Sequence, residues 1–333
     1  MTTASDDERM QRALELGRGV RALTPPNPWV GCVIEAADGT VFEGATAMVG
    51  GPHAEANALA AAGTHDLRGA TVWVTLEPCA HHGRTPPCAD ALVAAGVGRV
   101  VVAIDDPHPV VAGAGVSRLR DAGIDVEVGV RRAEAEALVA PYLHHVRTGR
   151  PYVVLKLAAS LDGRTAAPDG SSQWITGPES RADAHALRAE SDSILVGAGT
   201  VRADDPSLTV RDAAAPRGDP LRIVLGNAPP DAKVRPCLEH RGELGDLLDQ
   251  LGAKGHLQLL VEGGATVAHD LHTQGLVDRY VLYLAPALFG GDDAAGLFAG
   301  PGAPTLDDVW RGRILSVRRL GDDLRIDLDK GSR

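Results

Sequence analysis

Aromatic side chains are scarce in this 333-residue sequence, at 3% of the total with 4 Trp, 4 Tyr and 3 Phe. That is too few to stack single-stranded bases, which disfavours RNA recognition. Basic residues are also in deficit: 33 Lys and Arg against 44 Asp and Glu leave a formal net charge of −11. The balance argues against broad binding to nucleic acid or to an anionic membrane surface, both of which need basic patches. A local basic pocket for one phosphate stays open. Only 4 cysteines occur, so no disulfide framework is expected, and a reducing cytoplasm is. No run approaches the ~18 apolar residues of a membrane span, and the acidic N-terminal stretch lacks the apolar core of a signal peptide.

What is present has a globular composition, 44% apolar, and is long enough for two cored domains. Strand and helix patterns alternate, so helix-covered sheets are expected. The first half reads as a surface helix over Asp6 to Val20, a strand from Val30 to Ile34 and a hairpin into a strand from Val41 to Val49. A helix over Ala54 to Ala62 is stopped by Gly63. Strands at Val72 to Leu76, Val97 to Ile104 and Asp125 to Val128 follow, with helices from Cys88, from Val116 to Ala122 and from Arg131 to Leu143. His144 to Pro151 reads as a linker, which sets domains at 1–147 and 148–333. The second half restarts with a strand from Tyr152, a helix over Arg181 to Glu190 and strands at Ser193 to Gly197, Leu221 to Leu225, Tyr280 to Leu284 and Asp323 to Asp327. Leu257 to Thr266 reads as a strand, a Gly-rich turn and a helix start, which offers backbone N–H groups to a phosphate.

The chemistry concentrates in Pro52-His53-Ala54-Glu55 and in the run from Pro78-Cys79 to Pro87-Cys88. A catalytic zinc takes three protein ligands and leaves one position open, and His53, Cys79 and Cys88 supply the three. Glu55 is then the proton shuttle rather than a ligand, the logic of the zinc deaminases. His53 and Glu55 converge only if the metal sits over a helix N-terminus. The eight residues between the cysteines carry His81, Arg84 and Thr85, suited to a polar or phosphorylated substrate. Asn27, between two prolines, is either a turn residue or a reader of the substrate. Cys32 reads as core and Cys237 as incidental.

These residues carry a resemblance. Pro26-Asn27-Pro28-Trp29-Val30-Gly31, the two zinc stretches, Leu155-Lys156 through Asp162-Gly163, Ser172 to Thr176, Asp204 to Arg211 and Glu262-Gly263-Gly264 occur in one order. In that order the chain resembles the bifunctional deaminase/reductases of riboflavin biosynthesis over nearly its whole length. The resemblance implies a cytidine-deaminase-like α/β/α domain followed by a dihydrofolate-reductase-like α/β domain. It implies hydrolytic deamination of a diamino-hydroxy-pyrimidine carrying a phosphoribosylamino group, with zinc, and then reduction of the ribosyl side chain to ribityl with NADPH. By resemblance, Asn27, His81 and Arg84 hold the deaminase substrate. Ser172, Arg188, Leu208, Arg211 and Glu262 line the reductase substrate, and Ala159, Trp174, Thr200, Asp204, Gly264, Ala265 and Thr266 line NADPH. Lys156 and Asp204 stand nearest the reacting carbon. Arg188 and Arg211 suit a phosphate because a guanidinium contacts it in a bidentate way.

Three departures from the family pattern stand out. Thr46 replaces a His in a Gly-x-His pattern, and His108 sits where the family has Asn in Asp-Pro-Asn-Pro. The segment Gly226 to His256 reads as short and irregular where the family carries a strand and helix that touch the cofactor. A deaminase for a free nucleoside, or a second domain that binds cofactor without reducing anything, is the competing reading. A homodimer is expected as the commonest closed assembly.

Overall fold

The computed structural model describes residues 4–80, 86–108 and 111–331. The chain divides into two compact units, Met1–Gly149 and Arg150–Arg333.

In the first unit, α1 (Ala4–Gly19) precedes β1 (Gly31–Glu35), β2 (Val41–Ala45), α2 (Ala54–Ala62), β3 (Thr71–Val74), α3 (Cys88–Ala95), β4 (Arg99–Val102), α4 (Ala114–Asp121), β5 (Asp125–Val128), α5 (Arg132–Leu138) and α6 (Ala140–Thr148). The sheet order is β2-β1-β3-β4-β5. β1 pairs antiparallel with both β2 and β3, whereas β3, β4 and β5 run parallel. Met10, Leu14, Trp29, Ile34, Leu92, Ile104 and Leu119 are fully buried about this sheet. Each such side chain contributes roughly 1.5–3 kcal/mol. α1 is anchored by more than its apolar stripe. Its Asp6, 1% exposed, accepts hydrogen bonds from Trp73 Nε1 (3.0 Å) and Arg99 Nη1 (2.6 Å).

In the second unit the order is β6 (Tyr152–Ser160), β7 (Arg164–Ala166), α7 (Pro178–Glu190), β8 (Ser193–Gly197), α8 (Ala198–Asp204), β9 (Leu221–Leu225), β10 (Leu238–His240), α9 (Leu244–Ala253), β11 (Gln258–Val261), α10 (Ala265–Thr273), β12 (Arg279–Ala285), β13 (Ala295–Gly296), β14 (Arg313–Leu320) and β15 (Asp323–Asp329). An eight-stranded sheet runs β10-β9-β8-β11-β6-β12-β15-β14. Its strands are parallel from β10 to β12 and antiparallel at β15 and β14. β11 enters between β8 and β6, so the strand order reverses there. Ligand crevices form at the carboxyl ends of strands at such a switch point.

Several sequence expectations need correction. Arg131 to Leu143 is not one helix: α5 ends at Leu138 and α6 starts at Ala140 with Pro141 in its first turn, where a missing N–H costs nothing. His144 to Thr148 belong to α6, so the chain leaves the helix only at Gly149, whose φ is +73°. β2 stops at Ala45, four residues early, and just beyond it the Thr46 hydroxyl accepts the Val30 N–H at 3.3 Å. Gly226 to His256 is not irregular. It carries β10 and the ten-residue α9, which buries Leu244, Leu247, Leu248 and Leu251. The short pair β7 and β13 and the edge strand β14 are additions to the elements expected from sequence.

Candidate active sites

In the first unit, β3 and α3 deliver the cysteines and α2 delivers the imidazole. His53 is the N-cap of α2, with extended φ −73° and ψ 168°, so its ring stands off the helix end rather than on its side. Cys88 is the first residue of α3, whose N-terminal amides favour a thiolate. The Cys79 sulfur in turn accepts the Cys88 backbone N–H at 3.4 Å.

His53 Nδ1 lies 3.6 Å from Cys79 Sγ and 3.4 Å from Cys88 Sγ, and the three donor atoms all fall within 4.8 Å of one another. Tetrahedral zinc with Zn–N of ~2.0–2.1 Å and Zn–S of ~2.3 Å needs an N···S separation of roughly 3.6 Å. The donor set therefore fits zinc without rearrangement. The hydrogen bond from the Cys88 thiol, which outweighs burial, brings the Cys79 thiol well below its usual range. Cys88 is pushed up by that same bond and by burial. The pocket thus already favours one thiolate.

Glu55, second residue of α2, is 4% exposed and lies against Cys88. Burial pushes its carboxyl up to about 7, the range in which a group takes and returns protons near neutrality. Cys32, fully buried in β1, has its thiol raised by burial and belongs to the core. Glu77, two residues before Cys79, holds the neighbouring chain. It accepts the backbone N–H groups of Asp106 (3.2 Å), Gly113 (3.1 Å) and Val116 (3.0 Å). Nothing in the motif spelling marks Glu77 for this work.

Asn27 is half-buried, and its backbone N–H donates to Thr24 O at 2.9 Å. His81, Arg84 and Thr85 lie outside the described residues. His108 donates its backbone N–H to Asp106 at 2.9 Å, closing a small turn.

In the second unit, a cavity of about 950 Å³ opens at the carboxyl ends of β9, β8 and β11. Lys156, Ser172, Trp174, Arg188, Thr200, Asp204, Leu208, Arg211, Glu262, Gly264, Ala265 and Thr266 all line it. Ala159 does not. It is fully buried in β6, and Leu157 and Ala158 take the lining instead.

Glu262, at the end of β11, is gripped by Arg188, with Nε to Oε1 at 2.6 Å and Nη2 to Oε2 at 3.0 Å. Arg188 Nη1 donates to Thr209 O at 3.0 Å, so this fork is committed, and of the two arginines expected at the phosphate Arg211 is the one without a carboxylate partner among the described residues. Lys156 Nζ stands 3.8 Å from Glu262 Oε2 and 5.8 Å from the Tyr283 ring centroid. Burial works to raise the Glu262 carboxyl, but the charges of Lys156 and Arg188 overcome it and hold it at about 2. Partial burial pushes the Asp204 carboxyl up.

Gly264 is the N-cap of α10, and a Cβ there would sit 3.0 Å from Thr200 Oγ1. The bare glycine turn keeps the α10 amides open to the cavity. Leu208, 3% exposed with φ +53°, holds the loop after α8 in a left-handed conformation that costs ~1–3 kcal/mol. The donor set, glycine turn and cations of this cavity fit a phosphate-bearing dinucleotide. Arg202 and Lys233 also line it and are missed by the sequence reading. Lys233 lies in the very segment set aside as irregular.

Comparison with known proteins bears on both units. A family model described as the cytidine and deoxycytidylate deaminase zinc-binding region matches residues 3–104, and one for the RibD C-terminal domain matches residues 151–326. The chain is 43% identical to riboflavin biosynthesis protein RibD of Escherichia coli, covering 97% of this chain and 99% of that one. The chain belongs to the RibD family.

The solved RibD of Acinetobacter baumannii, form 1, superposes with a TM-score of 0.88 at 40% identity, covering 97% of this chain and 98% of that one. A Thermotoga maritima structure described as a diaminohydroxyphosphoribosylaminopyrimidine deaminase/5-amino-6-(5-phosphoribosylamino)uracil reductase gives a TM-score of 0.85 at 32% identity, with the same coverage. The first unit is thus a cytidine-deaminase-like domain and the second the family's reductase domain, both mixed α/β. Zinc and NADPH are the cofactors that go with them.

Proposed function

We infer that this chain is a bifunctional enzyme of riboflavin biosynthesis. It deaminates 2,5-diamino-6-hydroxy-4-(5-phosphoribosylamino)pyrimidine and then reduces the ribosyl side chain of the product with NADPH. The observation that carries this reading is the zinc-spaced triangle of His53, Cys79 and Cys88 with buried Glu55 against it, in a chain whose other unit holds a separate dinucleotide-sized cavity.

Residues 1–147 carry the deamination in this reading. Bound zinc, held by His53, Cys79 and Cys88, supplies the acidity that makes water a nucleophile near neutral pH. Glu55 takes the proton from that water and returns it to the amino group that leaves as ammonia. Asn27, His81 and Arg84 hold the substrate.

Residues 148–333 carry the reduction. NADPH supplies the hydride when bound, and the protein supplies position. Trp174, Thr200, Asp204 and the turn from Gly264 to Thr266 orient the cofactor, with Ala158 lining the cavity in place of the fully buried Ala159. Ser172, Leu208, Arg211 and Glu262 hold the substrate, and Arg188 acts by fixing Glu262. Lys156, held between Glu262 and Tyr283, and Asp204 are the polar groups for the reacting carbon.

We further propose a homodimer in a reducing cytoplasm. Edge strand β14 leaves Ile314 (59%) and Val317 (57%) exposed, which supports an interface there. No cysteine among the described residues is in a disulfide. No described helix is long and apolar enough to cross a membrane.

The test follows ammonia release and NADPH oxidation separately on the purified protein with the diamino-pyrimidine ribosyl phosphate. Both signals are expected. Ammonia without NADPH consumption, even on pre-deaminated substrate, would reduce the second unit to a binding module. No ammonia from zinc-loaded protein would overturn the substrate assignment.

A further inference from the structure

Five cations line the cavity of the second unit: Lys156, Arg188, Arg202, Arg211 and Lys233. Lys156 and Arg188 share Glu262, and Lys233 Nζ pairs with Asp205 Oδ2 at 3.2 Å. Arg202 and Arg211 have no carboxylate partner among the described residues. Arg211 reaches only the Ser207 hydroxyl, at 3.5 Å. Two guanidinium groups left without an acid in one cavity call for two anions.

They serve different ends of it. Arg211 donates its backbone N–H to His185 Nδ1 at 3.0 Å, on α7, the helix that also carries Arg188. It therefore belongs to the end where Lys156 and Glu262 gather. Arg202 sits on α8, directly after β8, and Lys233 follows β9, whose last residue Leu225 also lines the cavity. From β6 through β11 and β8 to β9 is three strand spacings, roughly 14 Å. A dinucleotide with its reactive ring near Lys156 and its pyrophosphate at the glycine turn before α10 must extend its adenosine toward β9. The extra phosphate of NADPH is on that adenosine.

We propose that Arg202, assisted by Lys233, selects a dinucleotide with a phosphate on its adenosine ribose over one with a free 2′-hydroxyl. The inference rests on reading this unit as a dinucleotide-dependent reductase. The carboxylate at that end is Asp205, the partner of Lys233. The Lys233–Asp205 pair is exposed, at 68% and 44%, so sharing Lys233 with an arriving phosphate sacrifices little. Arg202 gives the geometry, since a planar guanidinium grips a phosphate by two parallel hydrogen bonds.

The test is calorimetric binding of four probes, 2′,5′-ADP, 5′-AMP, NADPH and NADH, to the full chain without substrate. The proteins are wild type, Arg202→Ala, Arg202→Lys and Arg202→Ala with Lys233→Ala. Arg202→Ala should weaken 2′,5′-ADP and NADPH on the order of 10- to 100-fold and leave 5′-AMP and NADH within about 3-fold. Arg202→Lys should recover part of that loss, and the double variant should bring the NADPH/NADH preference close to one. A preference untouched by Arg202→Ala overturns the proposal while leaving the reductase reading intact. So does an equal loss of all four probes. Wild type that binds neither dinucleotide defeats the reductase reading, and the inference with it.

Discussion

Replacing Glu262 by Gln keeps its volume but removes the charge on which two buried cations depend. Its side chain is 10% exposed, that of Arg188 13% and that of Lys156 21%. Removing one member of such a buried set costs about 3–5 kcal/mol, because the remaining charges lose their compensation. The titration of Glu262 gives a second route to the magnitude. Its carboxyl is held at about 2 against an ordinary 4.5, a difference worth about 3 kcal/mol at 1.36 kcal/mol per pH unit.

The sign follows from that depression. A carboxyl depressed on folding stabilises fully above its unfolded pKa, and the stabilisation fades as pH falls from about 4.5 toward 2. Wild type should therefore exceed Glu262→Gln by about 3 kcal/mol at pH 7 and by only about 1 kcal/mol at pH 3. Urea unfolding at several pH values measures this, followed by tryptophan fluorescence. Trp174 and Trp310 report the second unit, while Trp29 and Trp73 report the first. The first unit's transition should not move. A stability difference independent of pH would refute the reasoning, because the effect would then come from packing rather than charge.

Three further outcomes follow from the first unit. Glu55→Gln should retain one zinc per chain by metal analysis yet lose ammonia release by about 10²–10⁴-fold, with NADPH oxidation on pre-deaminated substrate unchanged. Cys88→Ser should release the zinc to a chelator at concentrations that leave wild type loaded, since a hydroxyl is a poor replacement for a thiolate. Gly115→Ala should weaken zinc retention without touching a ligand. Its Cβ would fall on the Pro78 carbonyl, one residue before Cys79, and the chain there is pinned by Glu77. Zinc retention equal to wild type would show that the loop yields elsewhere.

Where sequence signals are local, the sequence and the structure coincide. The Ala run with its Gly63 stop gives α2 to the residue, and the compact apolar runs give β8 and β9. α9 was legible as well: Leu244, Leu247, Leu248 and Leu251 follow the i, i+3, i+4, i+7 pattern of a buried helix face. Treating its segment as merely short overlooks that spacing. The break at Val139 was signalled by Pro141, which reads naturally as a first-turn residue and not as a helix interior. β14 is a different case. It is an edge strand exposed along most of its length, so no alternation of apolar and polar residues announces it.

The two sites differ in legibility for the same reason. Zinc demands three donors within a few ångströms, and the chain meets that demand with a helix cap, a strand exit and a helix start whose spelling is distinctive. The cavity of the second unit is assembled from pairings that no spacing rule anticipates. Arg188 meets Glu262 across 74 residues, and Tyr283, which packs on Lys156, donates its hydroxyl to Asp183 across 100. The parallel sheet makes those meetings, since each crossover returns the chain to the same carboxyl edge. A motif can therefore mark Arg188 as important but cannot say what it grips. Once Arg188 is seen to be committed to Glu262, Arg211 and Arg202 become the guanidinium groups able to receive phosphates, and Lys233 enters from a segment that motif comparison alone would discard.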